Sequence, residues 1–215
     1  MSHSFLNLQE LELASVGLQE LPPDFGLRMP NLRTLNLNFN SLRDIRPLLN
    51  IQKLERLSVC GNRLDRLRKS IATLAKLVSL QCVDIRDNPV TQGFYHPALA
   101  ATQSSLVRRA DQELPDDEYA HAERLEQAKH CLPQGDVEED RQHQSRLDEA
   151  TKLRRRVYEL LLAHSCATLR DVDSLQFDKA SANTKDRTWE RLVELGVVRK
   201  SRSCTSELSE ARSED

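Results

Sequence analysis

Leu32-Arg33-Thr34-Leu35-Asn36-Leu37-Asn38-Phe39-Asn40-Ser41-Leu42 is the stretch that decides the fold. Its pattern, L-x-x-L-x-L-x-x-N-x-L, occurs four times. The other copies run through Leu8, Leu11, Leu13, Val16 and Leu18; Leu54, Leu57, Val59, Asn62 and Leu64; and Leu80, Val83, Ile85, Asn88 and Val90. Fourth positions lie 24, 22 and 26 residues apart, within the roughly 20 to 29 residue period of stacked strand-and-turn repeats. Within L-x-L, alternation sends the leucines to one face of a short strand and the residues between them to the other. Parallel stacking of such strands buries an aliphatic column. The asparagine amide can satisfy backbone groups where the chain leaves the strand, which would otherwise cost free energy. Val16 lacks that amide, so the first repeat is irregular, as terminal repeats often are. Pro22-Pro23-Asp24, Arg46-Pro47-Leu48-Leu49 and Ser70-Ile71-Ala72-Thr73-Leu74 read as turns or helical pieces on the convex side.

The bulk figures agree with an aliphatic solenoid. Of 215 residues 39% are hydrophobic, 35 are Leu and only 4% are aromatic, with a formal net charge of −2. Twenty leucines fall in residues 1–90, six in 91–152 and nine in 153–215. No segment has the roughly 18 consecutive apolar residues of a membrane span, and Met1 to Asn7 is unlike a signal peptide; we expect a soluble intracellular protein. Cys60, Cys82, Cys131, Cys166 and Cys204 are scattered and odd in number, so reduced thiols are expected rather than a disulfide framework or zinc module. His121, His130, Cys131 and His143 match no metal-site spacing. No nucleophile motif or phosphate-binding glycine loop occurs, so no catalytic, cofactor or metal residue is assigned and the chain is read as non-enzymatic.

The expected organisation follows from where the repeat stops. Residues 1–98 are leucine-rich repeats. Residues 99–152 are a helical, acidic and partly disordered insertion, with helical spacing at Tyr119, Ala122, Leu125 and Ala128, a break at Pro133 to Asp136, and a solvated acidic connection at Asp136 to Asp140. Residues 153–198 form a C-terminal cap. It comprises a helix continuing the spacing of Leu147, Ala150, Leu153, Val157, Leu160, Leu161 and His164, a last strand at Leu169 to Leu175, and a short helix carrying Trp189, Leu192 and Val193 between Thr184 as N-cap and Gly196 as C-terminal stop. Trp189 is expected to pack on the cap. Residues 199–215 read as a disordered tail with candidate phosphorylation at Ser201, Ser203, Ser206 and Ser209. The fold class is α/β: a leucine-rich repeat solenoid with short parallel strands on its concave face, a helical insertion and a C-terminal cap. Because Leu8 opens a repeat at once, we expect a C-terminal piece of a longer protein.

Several of these residues carry a resemblance. Leu35 to Asn40, Asp44 to Leu49, Gly61 to Leu64, Arg86-Asp87-Asn88-Pro89-Val90-Thr91-Gln92-Gly93-Phe94-Tyr95 and the later Arg154-Arg155-Arg156-Val157-Tyr158 resemble the fungal spindle-pole-body scaffold of the mitotic exit and septation initiation networks, related to animal centriolin. The similarity covers about residues 8–98 and 153–178. It implies a cytoplasmic, cytoskeletal location at the spindle pole body or microtubule-organising centre. The implied partners are a structural protein of that body, through an extended or coiled-coil segment, and network kinases and a small GTPase recruited by the full-length scaffold. A generic repeat adaptor of the phosphatase-regulator kind and a ribonucleoprotein component are the alternative readings; scarce aromatic residues argue against nucleic acid.

Surface is what such an architecture offers. The outward strand positions are Glu10, Glu12 and Ala14; Thr34, Asn36 and Asn38; Arg56, Ser58 and Cys60; Cys82, Asp84 and Arg86; then Asp171 and Asp173. The candidate partner-binding residues are Thr34, Asn36, Asn38, Phe39, Arg56, Arg86, Phe94 and Tyr95, with Phe94 and Tyr95 also read as anchors of the insertion. Residues 28–76 hold eleven basic and three acidic side chains, while residues 111–152 carry a balance of −8. The basic stretch suits an acidic or phosphorylated partner segment, or the acidic insertion itself.

Overall fold

The computed structural model describes residues 5–96 and 137–197. Each leucine-rich copy contributes one three-residue strand: β1 Glu10–Glu12, β2 Thr34–Asn36, β3 Arg56–Ser58 and β4 Cys82–Asp84. All four pair parallel and in register, so Leu11, Leu35, Leu57 and Val83 form one row. Leu35, Leu57 and Val83 are at most 2% exposed. The returning segments are α1 Phe25–Arg28, a 3-10 turn at Arg46–Leu48, and α2 Leu67–Leu74. Their inward side chains Phe25, Leu48, Ile71 and Leu74 close the core from the convex side.

Asparagine does in each turn what its inventory of donors and acceptors allows. Asn62 accepts from the Leu42 amide at 3.0 Å and donates to the carbonyls of Leu37, Val59 and Cys60 at 2.9 to 3.1 Å. Asn40 and Asn88 repeat the arrangement one unit earlier and one unit later. Val16, standing where an amide is absent, is 55% exposed. The residue just before this position has a left-handed backbone in every copy: Ser15, Phe39, Gly61 and Asp87. For a bulky residue such as Phe39, φ 54° is a conformation the turn imposes. It is held there by the Phe39 amide donating to the Cys60 carbonyl at 2.7 Å.

Beyond Val137 the chain forms α3 Val137–Arg146 and α4 Glu149–Ser165. Asp148 caps α4 by accepting from the Thr151 amide at 3.0 Å. Helix α3 begins inside the acidic run that sequence reasoning reads as a solvated connection, and α4 begins ahead of residue 153. Asp140 is only 7% exposed; Arg155 grips it with two hydrogen bonds, at 2.9 and 2.5 Å. An ion pair 15 residues long in sequence separation thus orders what composition alone marks as solvated.

The last strand is also different from the expected one. β5 Asp171–Val172 adds to β4 in parallel, but the chain then reverses into β6 Leu175–Gln176, antiparallel to β5. The two turn residues, Asp173 and Ser174, have φ of 55° and 63°, the signature of the tight hairpin turn whose twist matches the strands. α5, Lys179–Ala182, follows with Asp178 as its cap.

Residues from Thr184 onward form a separate compact unit. Its described element is α6, Arg187–Glu194, capped by Asp186, not by Thr184: the Asp186 carboxylate accepts from the Trp189 amide at 2.8 Å. Gly196, at φ 70°, terminates α6; its amide and that of Val197 return to the carbonyls of Val193 and Leu192, the paired closure that favours glycine. The expected helix through Tyr119 to Ala128, Cys131, His121, His130 and the tail from Arg199 lie outside the described residues. No helix among the described residues is long and apolar enough to cross a membrane.

Candidate functional site

Two of the three outward rows on the strand face are open. Glu10, Thr34, Arg56, Cys82 and Asp171 are in register across the sheet, as are Glu12, Asn36, Ser58 and Asp84. Glu10, Glu12 and Arg56 are exposed and Thr34, Asn36, Ser58, Cys82 and Asp171 half-buried, while Asp84, at the end of its row, is buried. Most of these groups already have a neighbour to bond. Asn36 donates to Glu12 at 2.9 Å, Arg33 pairs with Glu55, and the Cys82 thiol donates to Asp171 at 3.2 Å. Burial and this carboxylate raise the Cys82 pKa, keeping it a thiol. Arg56 has no hydrogen bond or ion pair among the described residues, and it borders a hollow of about 220 Å3 shared with Ser58, Cys82, Asp171 and Ser174. Phe39 sits beside this face, with its ring where a side chain at Gly61 would stand: a Cβ there would come within 2.6 Å of Phe39 Cδ1.

The third row is closed. Ala14, Asn38, Cys60, Arg86 and Asp173 are buried, Asn38 and Arg86 to 1% exposure. Asn38 accepts from the Cys60 amide at 2.8 Å, and the Cys60 thiol donates to Asp84 at 2.7 Å. Arg86 lies against Asp84 with bonds of 2.7 to 3.2 Å and donates to Ser174. Side chains stacked across parallel strands satisfy one another here, and Ser174 of the cap hairpin bonds to Arg86 and Asp84 at the end of the row. Arg86 and Asn38 are therefore scaffold, which corrects their reading as partner contacts. Burial, then the Asp84 carboxylate, push the Cys60 pKa well above its ordinary 9.0, so this cysteine presents no thiolate.

Phe94, 1% exposed, also faces inward and packs beside Tyr158, ring centroids 5.7 Å apart. Tyr95 is half-buried, with its hydroxyl donating to Asp173. Arg155 donates to the Phe94 carbonyl at 2.9 Å and lies 4.7 Å above the Tyr95 ring. Both aromatics thus take the anchoring role, and the point where the chain leaves the last repeat is tied to the helices by which it returns. Of the eight candidate residues, Thr34, Asn36, Phe39 and Arg56 remain available at the strand face. Asp84, Ser174, Tyr158, Asp140 and Arg155 form the supporting network that sequence reasoning missed as a unit. The only signal was the pairing of Phe94-Tyr95 with the later Arg-Arg-Arg-Val-Tyr run.

This geometry presents an open polar surface and a shallow hollow bordered by Arg56, whose guanidinium has no ion pair among the described residues. Residues 7–64 match the leucine-rich repeat family. The protein carries a leucine-rich repeat domain. It is 30% identical over 179 residues to the septation initiation network scaffold protein cdc11 of Schizosaccharomyces pombe, an alignment covering 83% of this chain and 17% of that protein. It is 27% identical over 101 residues to leucine-rich repeat-containing G-protein coupled receptor 5 of Rattus norvegicus, covering 47% of this chain and 11% of the receptor. Internalin C2 of Listeria monocytogenes is similar over 38% of this chain and 36% of its own, at 26% identity and a TM-score of 0.31. The chain thus spans about one sixth of the length of the septation scaffold. The resemblance to that scaffold stands, and it extends past the repeats, because 179 aligned residues exceed the repeat region. No enzyme family is matched, and the repeat domain of a scaffold relative is a protein-interaction domain.

Proposed function

We propose that this leucine-rich repeat domain is the non-enzymatic docking module of a septation or mitotic-exit network scaffold, anchoring that scaffold at the spindle pole body. The observation carrying this reading is the similarity to a septation initiation network scaffold over 83% of the chain. A structural protein of the spindle pole body is the direct partner, presenting an extended or coiled-coil segment to the strand face. Network kinases and a small GTPase are brought in by the full-length scaffold. The open rows suit a segment with polar side chains and one carboxylate. Thr34, Asn36 and Ser58 offer hydrogen bonds, Phe39 an apolar edge, and Arg56 an unpaired charge whose fork geometry favours a carboxylate.

The test is imaging of the tagged full-length protein together with its Arg56→Glu and Thr34→Arg variants. Foci at spindle poles that are lost in the variants, with folding intact, are expected. A diffuse wild-type protein would remove the localisation, and unchanged foci in both variants would remove the strand face as the anchoring surface.

A further inference from the structure

β1 ends the sheet, and only the side facing β2 is paired among the described residues. The Gln9 carbonyl and the Leu13 amide bond toward β2, so strand alternation turns the main-chain groups of Glu10 the other way, along the edge. The core is also thinner here. Leu8, Leu11 and Leu13 are half-buried, whereas their counterparts one repeat on, Leu32, Leu35 and Leu37, are at most 1% exposed. The contact by which each copy grips the one before it has no equivalent at β1. Asn40, Asn62 and Asn88 each reach back to an amide and a carbonyl of the preceding copy. Val16, in the same position and 55% exposed, has no polar group to do so. A strand of another kind suits this edge better than one more repeat.

We propose that the β1 edge takes an extended segment of a partner polypeptide as an added strand, one in which lysine or arginine alternates with an aliphatic side chain. In strand addition the main chain supplies affinity and alternate side chains supply selectivity. A residue opposite Leu11 faces inward and extends the half-buried leucine column. Its two neighbours lie across from Glu10 and Glu12, both exposed, and opposite charges across a strand pair are favourable where like charges are not. Glu10 has no hydrogen bond or ion pair among the described residues. Glu12 is oriented by two neutral donors, the Asn36 side chain at 2.9 Å and the Ala14 amide at 3.2 Å. The same carboxylates disfavour two other occupants. Antiparallel pairing of two copies about Leu11 sets Glu10 of one against Glu12 of the other, and the chain's own insertion, with a balance of −8 over residues 111–152, has the wrong sign. This edge therefore selects the opposite charge from the Arg56 hollow.

The experiment titrates the full-length protein into fluorescein-labelled peptides and reads anisotropy. One peptide alternates lysine with valine, a second alternates glutamate with valine, and a third is the lysine peptide with proline at its central valine, which disrupts pairing. Saturable binding of the first is expected, about tenfold or more tighter than either control and weakening with salt. Glu10→Lys, at an exposed side chain with no bond to lose, lowers that affinity several-fold. Glu10→Pro removes an edge amide that does not face β2 and lowers it as well, with the thermal midpoint kept. Equal binding of the lysine and glutamate peptides, or binding that Glu10→Lys leaves unchanged, overturns the proposal. Binding that Glu10→Lys weakens and Glu10→Pro leaves intact is charge attraction without a paired strand and overturns it too. So does a dimer that Glu10→Pro dissolves while no peptide binds, since the edge then belongs to a second copy.

Discussion

The hydroxyl of Tyr158 donates to Oδ2 of Asp173, a buried residue in the turn of the cap hairpin, at 2.7 Å. Tyr95 donates to the same oxygen, and the Ile85 amide fills Oδ1 at 2.7 Å. One carboxylate thereby joins the last full repeat, the departure point of the insertion, α4 and the cap. Burial, then the nearby Asp84 carboxylate, raise the Asp173 pKa from 3.8 to about 6. A raised folded-state value stabilises the protein fully below the unfolded pKa, and that contribution is lost as pH rises through the folded pKa. The stability margin of the wild type over Asp173→Asn should therefore shrink between pH 3.8 and about 6 and level off outside that window. Urea midpoints of both proteins from pH 3.5 to 7.5 measure it; a margin independent of pH would refute the assignment.

Asn62→Ala leaves the buried Leu42 amide without its acceptor and removes one of the donors to each of the Leu37, Val59 and Cys60 carbonyls, which keep Asn40, Asn88 and the Phe39 amide. A buried polar group without a partner costs about 1 to 3 kcal/mol, so a loss of about that size in chemical denaturation is expected. Asn62→Asp should be no better, because a carboxylate cannot donate to those carbonyls.

Leu57 is 1% exposed at the centre of the leucine row. Truncation to Ala is expected to lower unfolding free energy by about 2 to 5 kcal/mol. An unchanged melting midpoint would be incompatible with the packed column.

Arg155→Ala leaves Asp140 buried without its cation and releases the Phe94 carbonyl. Removing one member of a buried ion pair costs about 3 to 5 kcal/mol. Hydrogen exchange should locate the loss: amides of α3 become fast while those of β2 and β3 keep their protection. Uniform acceleration throughout the repeats would contradict a local tether.

Arg56→Glu reverses an exposed charge with no bond to lose. Thermal stability should change by less than about 0.5 kcal/mol, whereas capture of the anchoring partner should fall strongly. Equal capture would clear Arg56 of any role in docking.

Much of the solenoid was legible because its determinants are local. Alternation within Leu35-Asn36-Leu37 places two residues in and one out by strand geometry alone, and a single asparagine at a set distance supplies the turn's bonds. Gly196 was legible for the same reason, since its left-handed backbone ends a helix wherever it occurs. The candidate site was half legible: Thr34, Asn36, Phe39 and Arg56 stand where strand alternation puts them.

What remained hidden was decided by groups distant in sequence. Alternation assigns Arg86 and Asn38 to the outer face, and it does so correctly for the backbone. Their burial comes from stacking on Asp84, Cys60 and Ser174, up to 88 residues away. No local pattern announces that Asp140 will meet Arg155, or that Tyr95 and Tyr158 will share one carboxylate. By itself the sequence determined the repeating strand, its leucine row and its asparagine turns, because period and hydrogen-bonding inventory act over a few residues. Only the tertiary structure decided which outward residues stay open and how the insertion is fastened, because desolvation depends on every neighbour the fold brings within a few ångströms.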